Sequence, residues 1–445
     1  MNQEVSVIHA GNIRNHSHLW RQITQDEYIL DIVENGLKLN FKDEMPSNSP
    51  FQHKLSTRDS EVISGELNKL LAKGVITVSK YENNDFFSSL FVRPKKDGNF
   101  RTILNLKQLN SECDTYHFKM ESMKQVANMI TPGCYLASLD IRDAFYSVPI
   151  FYKHKRFLKF SWEGIIYQFE VMPNGYVDAM RVFTKVLKPV FAYLRERGHS
   201  SVIYVDDSLL KGDSYQECLE NIEMTKQLLE DLGFYVHYDK SVLTPTQKIV
   251  FLGFEIDTVN MTVSLTAEKK QKIKEYCIKL LSKSTVSIRE VAKLLGNIAA
   301  SFEGVEHGRL YFRNLEHDKI ISLKAAKGNF EAVCQISVEG RKDIEWWRDN
   351  IIQASKSLYP IPEVDYTIFT DASNDGWGIN NEVETVNNRW NEEETEMHIN
   401  EQELKAVHLA VLSFRRDITD KKHVRVMSDN STAIAYINNK GGVQV

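Results

Sequence analysis

The chain has 445 residues, 42% hydrophobic and 26% charged, with a formal net charge of -5. That composition excludes a disordered or fibrous protein and, at roughly 150 residues per domain, leaves room for about three domains. No stretch approaches the roughly 20 apolar residues of a membrane span, and Met1–Trp20 lacks the apolar core of a secretory leader.

Five cysteines (Cys113, Cys134, Cys218, Cys277, Cys334) are scattered and form no C-x-x-C pair, which argues against zinc and against a disulfide framework. A reducing compartment, cytoplasmic or nuclear, is expected, with no membrane partner and no secretion. The mild negative charge weighs against nucleic acid, whose phosphates need local cations. Two runs can supply them, Arg93–Arg101 (RPKKDGNFR) and Lys269–Lys283, although solvated surface explains them equally well.

Residues 1–60 are mixed and polar, with a loop-like string at Glu44–Gln52. A helix is expected from about Arg58 to Lys73, closed by Gly74. From Phe86 to Ile256, strand-like runs alternate with helices: Tyr135–Asp140, Phe157–Trp162, Ile165–Val171, Ser201–Val205 and Ile249–Ile256. Ala267–Phe302 reads as two helices, the second opened by a capping box of Ser287 and Glu290. Residues 320–355 again read as helical. Pro360 and Pro362 mark a boundary, and an α/β pattern runs from Tyr366 to Val445.

Tyr204–Asp207 (YVDD) lies between the apolar segments SVIYV and SLLKG, and reads as a hairpin with Asp206 and Asp207 at its tip. Adjacent carboxylates at a tip repel each other unless a divalent cation shares them. An ordinary Asp-containing turn would give the same local pattern. Asp140 ends a strand-like run about 65 positions earlier and meets the hairpin if the two strands are neighbours. Asp140 and Asp206 would then hold two Mg²⁺, one activating a primer 3′-hydroxyl and the other neutralising the triphosphate and leaving pyrophosphate. Asp143 reads as a structural carboxylate at the start of the next helix.

The motif order resembles the fingers and palm of retroelement reverse transcriptases, nearest to the DIRS group, retrotransposons that use a tyrosine recombinase. The resemblance is carried by Ser88–Asn110 (SSLFVRPKKDGNFRTILNLKQLN), His117–Met123 (HFKMESM), Ser138–Ile150 (SLDIRDAFYSVPI) and Leu158–Gly175 (LKFSWEGIIYQFEVMPNG). Arg181–Val190 (RVFTKVLKPV), YVDD, Phe251–Ile256 (FLGFEI) and Gly308–Glu316 (GRLYFRNLE) continue it. It implies Asp140, Asp206 and Asp207 as catalytic metal ligands for Mg²⁺, with Mn²⁺ able to substitute. It implies Lys95 (or its neighbour Lys96) and Arg101 as grips on the incoming triphosphate. Phe145 becomes an aromatic gate against a ribose 2′-hydroxyl, and Asn174 a polar neighbour of the nucleotide. Gly175 marks a close backbone approach, and Lys240 lies near the departing pyrophosphate. Gly253 permits a tight turn beside the primer strand. RNA template, DNA primer and deoxynucleoside triphosphates follow as partners, with a recombinase or other element proteins on other chains.

One segment departs from the group. After PNG it usually reads something like LSSAPRVF, whereas this chain has Tyr176-Val177-Asp178-Ala179-Met180 before Arg181. Asp178 can still cap the helix, but the proline is lost and a negative charge is added close to where phosphates should lie.

A second set of acids follows. Asp371 ends a strand-like run in Tyr366–Gly378, Glu403 lies in an amphipathic helix within His398–Phe414, and Asp429 lies in His423–Ile437 where strand passes to helix. The set resembles ribonuclease H, which uses two Mg²⁺. Glu401 is a near neighbour, but Glu403 precedes LKAV and is the one chosen. That family uses a fourth acid beyond the third, and none follows Asp429. Inefficient cleavage of RNA–DNA hybrids is therefore expected, along with loosened packing around Val424 or Val426 and Ile434 or Ile437.

The expected architecture is an α+β palm-type polymerase with fingers, palm and thumb, followed by a partial α/β ribonuclease H-like domain. Its divisions are residues 1–85 (N-terminal lead-in), 86–260 (fingers and palm), 261–360 (helical thumb and connection) and 363–445 (ribonuclease H-like). Two alternatives stand beside an active reverse transcriptase. One is a silent nucleic-acid-binding remnant, which the altered segment at Tyr176–Met180 favours. The other is an RNA-dependent RNA polymerase, which Phe145 disfavours.

Overall fold

The computed structural model describes residues 9–44, 47–51, 56–94, 100–359, 363–381, 383–421 and 423–438, with the backbone alone at Pro94, Phe100 and Arg101. The chain forms two compact units, residues 1–251 with 258–260, and residues 252–257 with 261–445. No helix among the described residues is long and apolar enough to cross a membrane.

The first unit opens with helices α1 (Ser17–Ile23), α2 (Glu27–Asn35) and α3 (Thr57–Ala72). Ser56 caps α3 by accepting from the Asp59 N–H, and beyond Lys73 the left-handed Gly74 (φ 68°) turns the chain, as expected. Strands β1 (Ile76–Ser79), β2 (Leu90–Pro94) and β3 (Phe100–Leu104) lead to the short helices α4 (Lys107–Glu112) and α5 (Met123–Met129). Then come β4 (Tyr135–Asp140), β5 (Lys159–Trp162), β6 (Ile165–Phe169), α6 (Ala179–Arg195), β7 (Ser200–Tyr204), β8 (Asp207–Gly212), α7 (Tyr215–Asp231), β9 (Val242–Thr246) and β10 (Lys248–Phe251).

Two sheets and a ribbon position the site. β2 and β3 pair antiparallel, Arg93 opposite Arg101. A three-stranded sheet runs β1-β6-β5, so residues 76–79 are tied to a segment some ninety positions later, Ile76 opposite Phe169. The four-stranded sheet β7-β8-β4-β9 carries the acidic residues, and α6 and α7 pack on it. In α6, Val182, Phe183, Val186, Leu187, Val190, Phe191 and Leu194 recur at three- and four-residue spacing, and all are buried. At about 1.5–3 kcal/mol for each fully buried side chain, this face is a main anchor of the sheet.

The second unit contains β11 (Phe254–Asp257), β12 (Thr262–Leu265), four helices and β13 (Lys356–Ser357). The helices are α8 (Ala267–Ser282), α9 (Ile288–Ala299), α10 (Arg313–Ala325) and α11 (Val338–Asn350). The capping box at Ser287 and Glu290 forms as expected. The C-terminal part holds β14 (Tyr366–Ala372), β15 (Gly376–Asn380), β16 (Thr385–Arg389), α12 (Glu392–Thr395), α13 (Ile399–Ser413), α14 (Arg415–Ile418), β17 (Val424–Met427) and α15 (Ser431–Asn438). Its sheet order is β16-β15-β14-β17, with β14 and β17 parallel and the other pairs antiparallel. Helix α13 crosses it, and Ile368, Ile379, Ala410 and Phe414 form a small core. Val424 and Val426 are half-buried, while Ile434 and Ile437 are exposed.

Three expectations are corrected. Ile249–Ile256 is not one strand, because Leu252 (φ 51°) and Gly253 (φ 76°) break it into β10 and β11. The helical stretch 320–355 is two helices separated by a loop. The strand expected at Phe157 begins at Lys159, after a 3₁₀ turn over Lys155–Phe157.

Candidate active site

The acids meet through strand register. β4 and β8 are antiparallel neighbours, and Asp140 is the cross-strand partner of Asp207. Directly opposed side chains share a face of the sheet at close range. β7 and β8 form the expected hairpin, with Tyr204 opposite Asp207 and Val205-Asp206 as the turn. The Ile141 N–H donates to the Asp206 carbonyl at 2.9 Å, which locks the turn against the end of β4. Val205 adopts φ 58°, a left-handed conformation that costs a β-branched residue energy.

Behind Asp140, its N–H donates to Ser241 Oγ at 3.1 Å, and its carbonyl accepts from the His237 N–H at 2.8 Å. Burial, opposed by a backbone hydrogen bond and joined by repulsion from Asp140, raises the Asp206 carboxyl above its usual range. Burial, then repulsion from Asp206 and Asp140, pushes Asp207 up to about 6, and its carboxyl also hydrogen-bonds Asp140.

A cavity of about 350 Å³ opens beside these acids. Asp140, Asp206, Phe145, Asn174 and Lys240 line it, together with Lys73, Arg142, Asp143, Tyr146 and His237. Phe145 packs edge-on against Phe183, with centroids 5.7 Å apart, and presents itself to the cavity as well. Asn174 Nδ2 donates to the Tyr146 hydroxyl at 3.1 Å, and burial pushes that phenol up to about 12. Gly175 adopts φ 92°, with open space where a Cβ would stand, and its carbonyl accepts from Asn110 Nδ2 at 2.9 Å. It is not a lining residue of the cavity. Lys95 lies outside the described residues, as do Lys96 and the side chain of Arg101; the β2–β3 ribbon alone speaks for that expectation.

Two sequence expectations change here. Asp143 does not cap the following 3₁₀ turn; it adopts φ 51° and pairs with Lys73 at 2.6 Å. Asp178 does not cap α6 either. Its carboxylate receives a two-pronged bond from Arg181, Nε to Oδ1 at 2.5 Å and Nη2 to Oδ2. Both side chains are more than nine-tenths buried, and Tyr28 also hydrogen-bonds Arg181. The added negative charge is thus neutralised inside the fold. Asn110 holds the same loop from the other side, accepting from the Val177 N–H at 2.9 Å.

The second acid set also converges. Asp371 in β14, Glu403 in α13 and Asp429 after β17 each offer an oxygen, and these all lie within 4.8 Å of one another. Burial, then the charges of Asp371 and Asp429, raise the Glu403 carboxyl above its usual range, and Ser428 Oγ donates to it at 3.4 Å. Glu401 is not part of this group.

A sheet of this topology, with opposed acids at a hairpin and its neighbouring strand, is the palm of an α+β palm-type polymerase. Within that class, residues 93–256 match the family described as "Reverse transcriptase (RNA-dependent DNA polymerase)". The Pro-Pol polyprotein of Simian foamy virus type 1 is 26% identical over 222 residues, 50% of this chain and 18% of that polyprotein. The enzymatic polyprotein of Cauliflower mosaic virus (strain Strasbourg) is 22% identical over 412 residues, 86% of this chain and 56% of that polyprotein. The chain therefore spans from under a fifth to little more than half of these relatives. Among solved structures, a foamy viral protease-reverse transcriptase in complex with dsDNA superposes with a TM-score of 0.63 at 18% identity, covering 99% of this chain and 93% of that one. The same kind of protein in complex with an RNA/DNA hybrid gives 0.59 at 17% identity, covering 99% and 61%.

Proposed function

We propose that the chain is the RNA-directed DNA polymerase of a retrotransposon, extending a DNA primer on RNA and then on DNA. The observation that carries this reading is the register of Asp140 against Asp207, with Asp206 in the adjoining turn facing the same cavity as Phe145, Asn174 and Lys240. Hard carboxylate oxygens, crowded and mutually repelling, suit a divalent cation that would relieve them. Asp140, Asp206 and Asp207 would hold two Mg²⁺, or Mn²⁺ in their place, which when bound activate the primer 3′-hydroxyl and offset charge on the leaving pyrophosphate.

The chain's own side chains would do the rest. Phe145 would lie under the sugar and exclude a 2′-hydroxyl. Asn174, oriented by Tyr146, would face the nucleotide, and Gly175 would let backbone approach it. Lys240 would stand where pyrophosphate leaves and donate a proton to it. Lys95 and Arg101 would grip the triphosphate from the β2–β3 ribbon. The substrates would be deoxynucleoside triphosphates. The link to the DIRS group, and a recombinase or other element protein as partner, rest on the sequence motifs. The division into lead-in, fingers and palm, thumb, and ribonuclease H-like parts is kept as part of this reading. The Asp178–Arg181 pair supports an active enzyme over a silent remnant, because the added charge is paired inside the fold.

The test is primer extension on an RNA template with Mg²⁺. Asp206→Asn and Asp140→Asn are each expected to abolish synthesis while primer–template affinity is retained. A variant keeping more than about a tenth of normal turnover, a barrier change below about 1.4 kcal/mol, would overturn the metal-site assignment.

The convergence of Asp371, Glu403 and Asp429 favours a second reading for the C-terminal sheet, a ribonuclease H-type metal site.

A further inference from the structure

Lys73 is the residue between α3 and the Gly74 turn. A lysine at a helix C-terminus commonly turns back to the last carbonyls, where the helix dipole favours it. This one reaches across the fold instead. Its Nζ lies 2.6 Å from Asp143 Oδ2, 70 positions along the chain, and both residues line the cavity that holds Asp140, Asp206 and Lys240. Asp143 holds a left-handed conformation without capping the turn that follows, so its carboxylate faces Lys73. The two side chains remain 31% and 26% exposed. A half-buried pair that water still reaches is held less firmly than a buried one and can exchange its anion. A triphosphate is a far stronger partner, because it is a polyanion and its oxygens accept charge-assisted hydrogen bonds.

We infer that Lys73 is a further phosphate-binding residue of this site, held by Asp143 until the triphosphate of the incoming nucleotide takes it over. The inference rests on the polymerase reading above. No covalent bond or proton changes in the exchange. Lys73 leaves one anion for another, and Asp143, already partly exposed, is taken up by water. Asp143 therefore acts as a competitor, and the two residues must affect nucleotide binding in opposite directions.

The test uses the full chain with Mg²⁺ and two readouts, calorimetric binding of inorganic triphosphate and the KM for a deoxynucleoside triphosphate. Lys73→Gln is expected to weaken triphosphate binding and raise KM by about ten-fold, the loss of one charge-assisted bond, with Lys73→Arg restoring most of it. Asp143→Asn, a residue that tolerates the left-handed backbone, is expected to tighten binding by about two- to three-fold. Primer–template affinity serves as the control and should not move. If both variants weaken binding, or neither changes it, the pair is a structural tie and the inference falls. Should Lys73→Gln fail to fold, Asp143→Asn decides alone, since only tightening supports the exchange. Binding is read without turnover, so a wild-type chain that binds triphosphate through Lys73 but extends no primer would sink the polymerase reading and leave this one standing. A wild-type chain that extends primers, with a KM indifferent to Lys73, would do the reverse.

Discussion

Phe145 serves two surfaces at once. Its ring packs on Phe183 in the core and also forms part of the cavity wall. If only the core contact mattered, trimming it would cost stability and nothing else. Phe145→Val is instead expected to raise the use of ribonucleotides relative to deoxynucleotides, at a stability cost of about 1–2 kcal/mol for a half-buried ring. Single-nucleotide insertion kinetics check this, and an unchanged preference would leave Phe145 as core alone. A wild-type chain that already took ribonucleotides at parity would revive an RNA polymerase. At this scale the sequence was legible wherever the chemistry is local. YVDD reads as an acidic hairpin because both strands and the turn lie in one short run. Lys73 and His237 reach the cavity through tertiary packing, and nothing in their neighbours' spacing marks them. The fate of Asp178 was half visible: Arg181 stands three residues on, a helix-neighbour spacing, but only burial shows that the two are paired.

Helices α10 and α11 cap each other. Asp343, in α11, accepts from the Leu315 N–H at 3.1 Å and from Asn314 Nδ2 at 3.2 Å, in the first turn of α10. Asp318, in α10, accepts from the N–H and hydroxyl of Ser337, the N-cap of α11, at 2.9 and 2.8 Å. Gly340 leaves room for this, since a Cβ there would stand 2.1 Å from Asp318 Oδ2. Burial raises the Asp343 carboxyl above its usual range, so part of the benefit is spent on desolvation. Asp343→Ala would leave the buried Leu315 N–H without a partner and is expected to cost about 2 kcal/mol. Asp343→Asn should lose less. Amide exchange at Leu315 in the full chain reads it directly, and unchanged protection there would show that the cap is idle. Reciprocal caps of this kind are invisible in sequence, where each acid looks like an ordinary helix-surface charge. The capping box at Ser287 was legible because both partners lie within one turn. The break between β10 and β11 was legible in part: the resemblance implied a tight turn at Gly253, but an apolar run gives no sign that Leu252 will turn left-handed.

Across the whole chain, two carboxylate clusters belong to two separate units. The order of elements followed from apolar periodicity, and Asp140, Asp206 and Asp371 from acids placed at strand ends and turns, whereas Glu403, inside a helix, came with the likeness to ribonuclease H. The early residues were not, because β1 finds its partner, β6, far along the chain. If the second cluster holds metal, Mn²⁺ titration of the full chain should reveal a class of sites that Asp371→Asn removes, while primer extension survives. Robust cleavage of an RNA–DNA hybrid, lost in the same variant, would show that three carboxylates suffice. Loss of primer extension in Asp371→Asn would mean that the two clusters do not act separately.

The Asp178–Arg181 pair constrains how such a segment can change. Arginine alone at 181 is tolerable, since its guanidinium already lies 4.7 Å from the face of the Tyr116 ring. Aspartate alone at 178 would be a bare charge inside the protein. An aspartate at 178 is therefore tolerable only while arginine occupies 181. Removing Arg181 strands the buried acid at a cost of about 3–5 kcal/mol. Val177 and Met180, both exposed, are free of this coupling, but Arg181 can be replaced only together with Asp178.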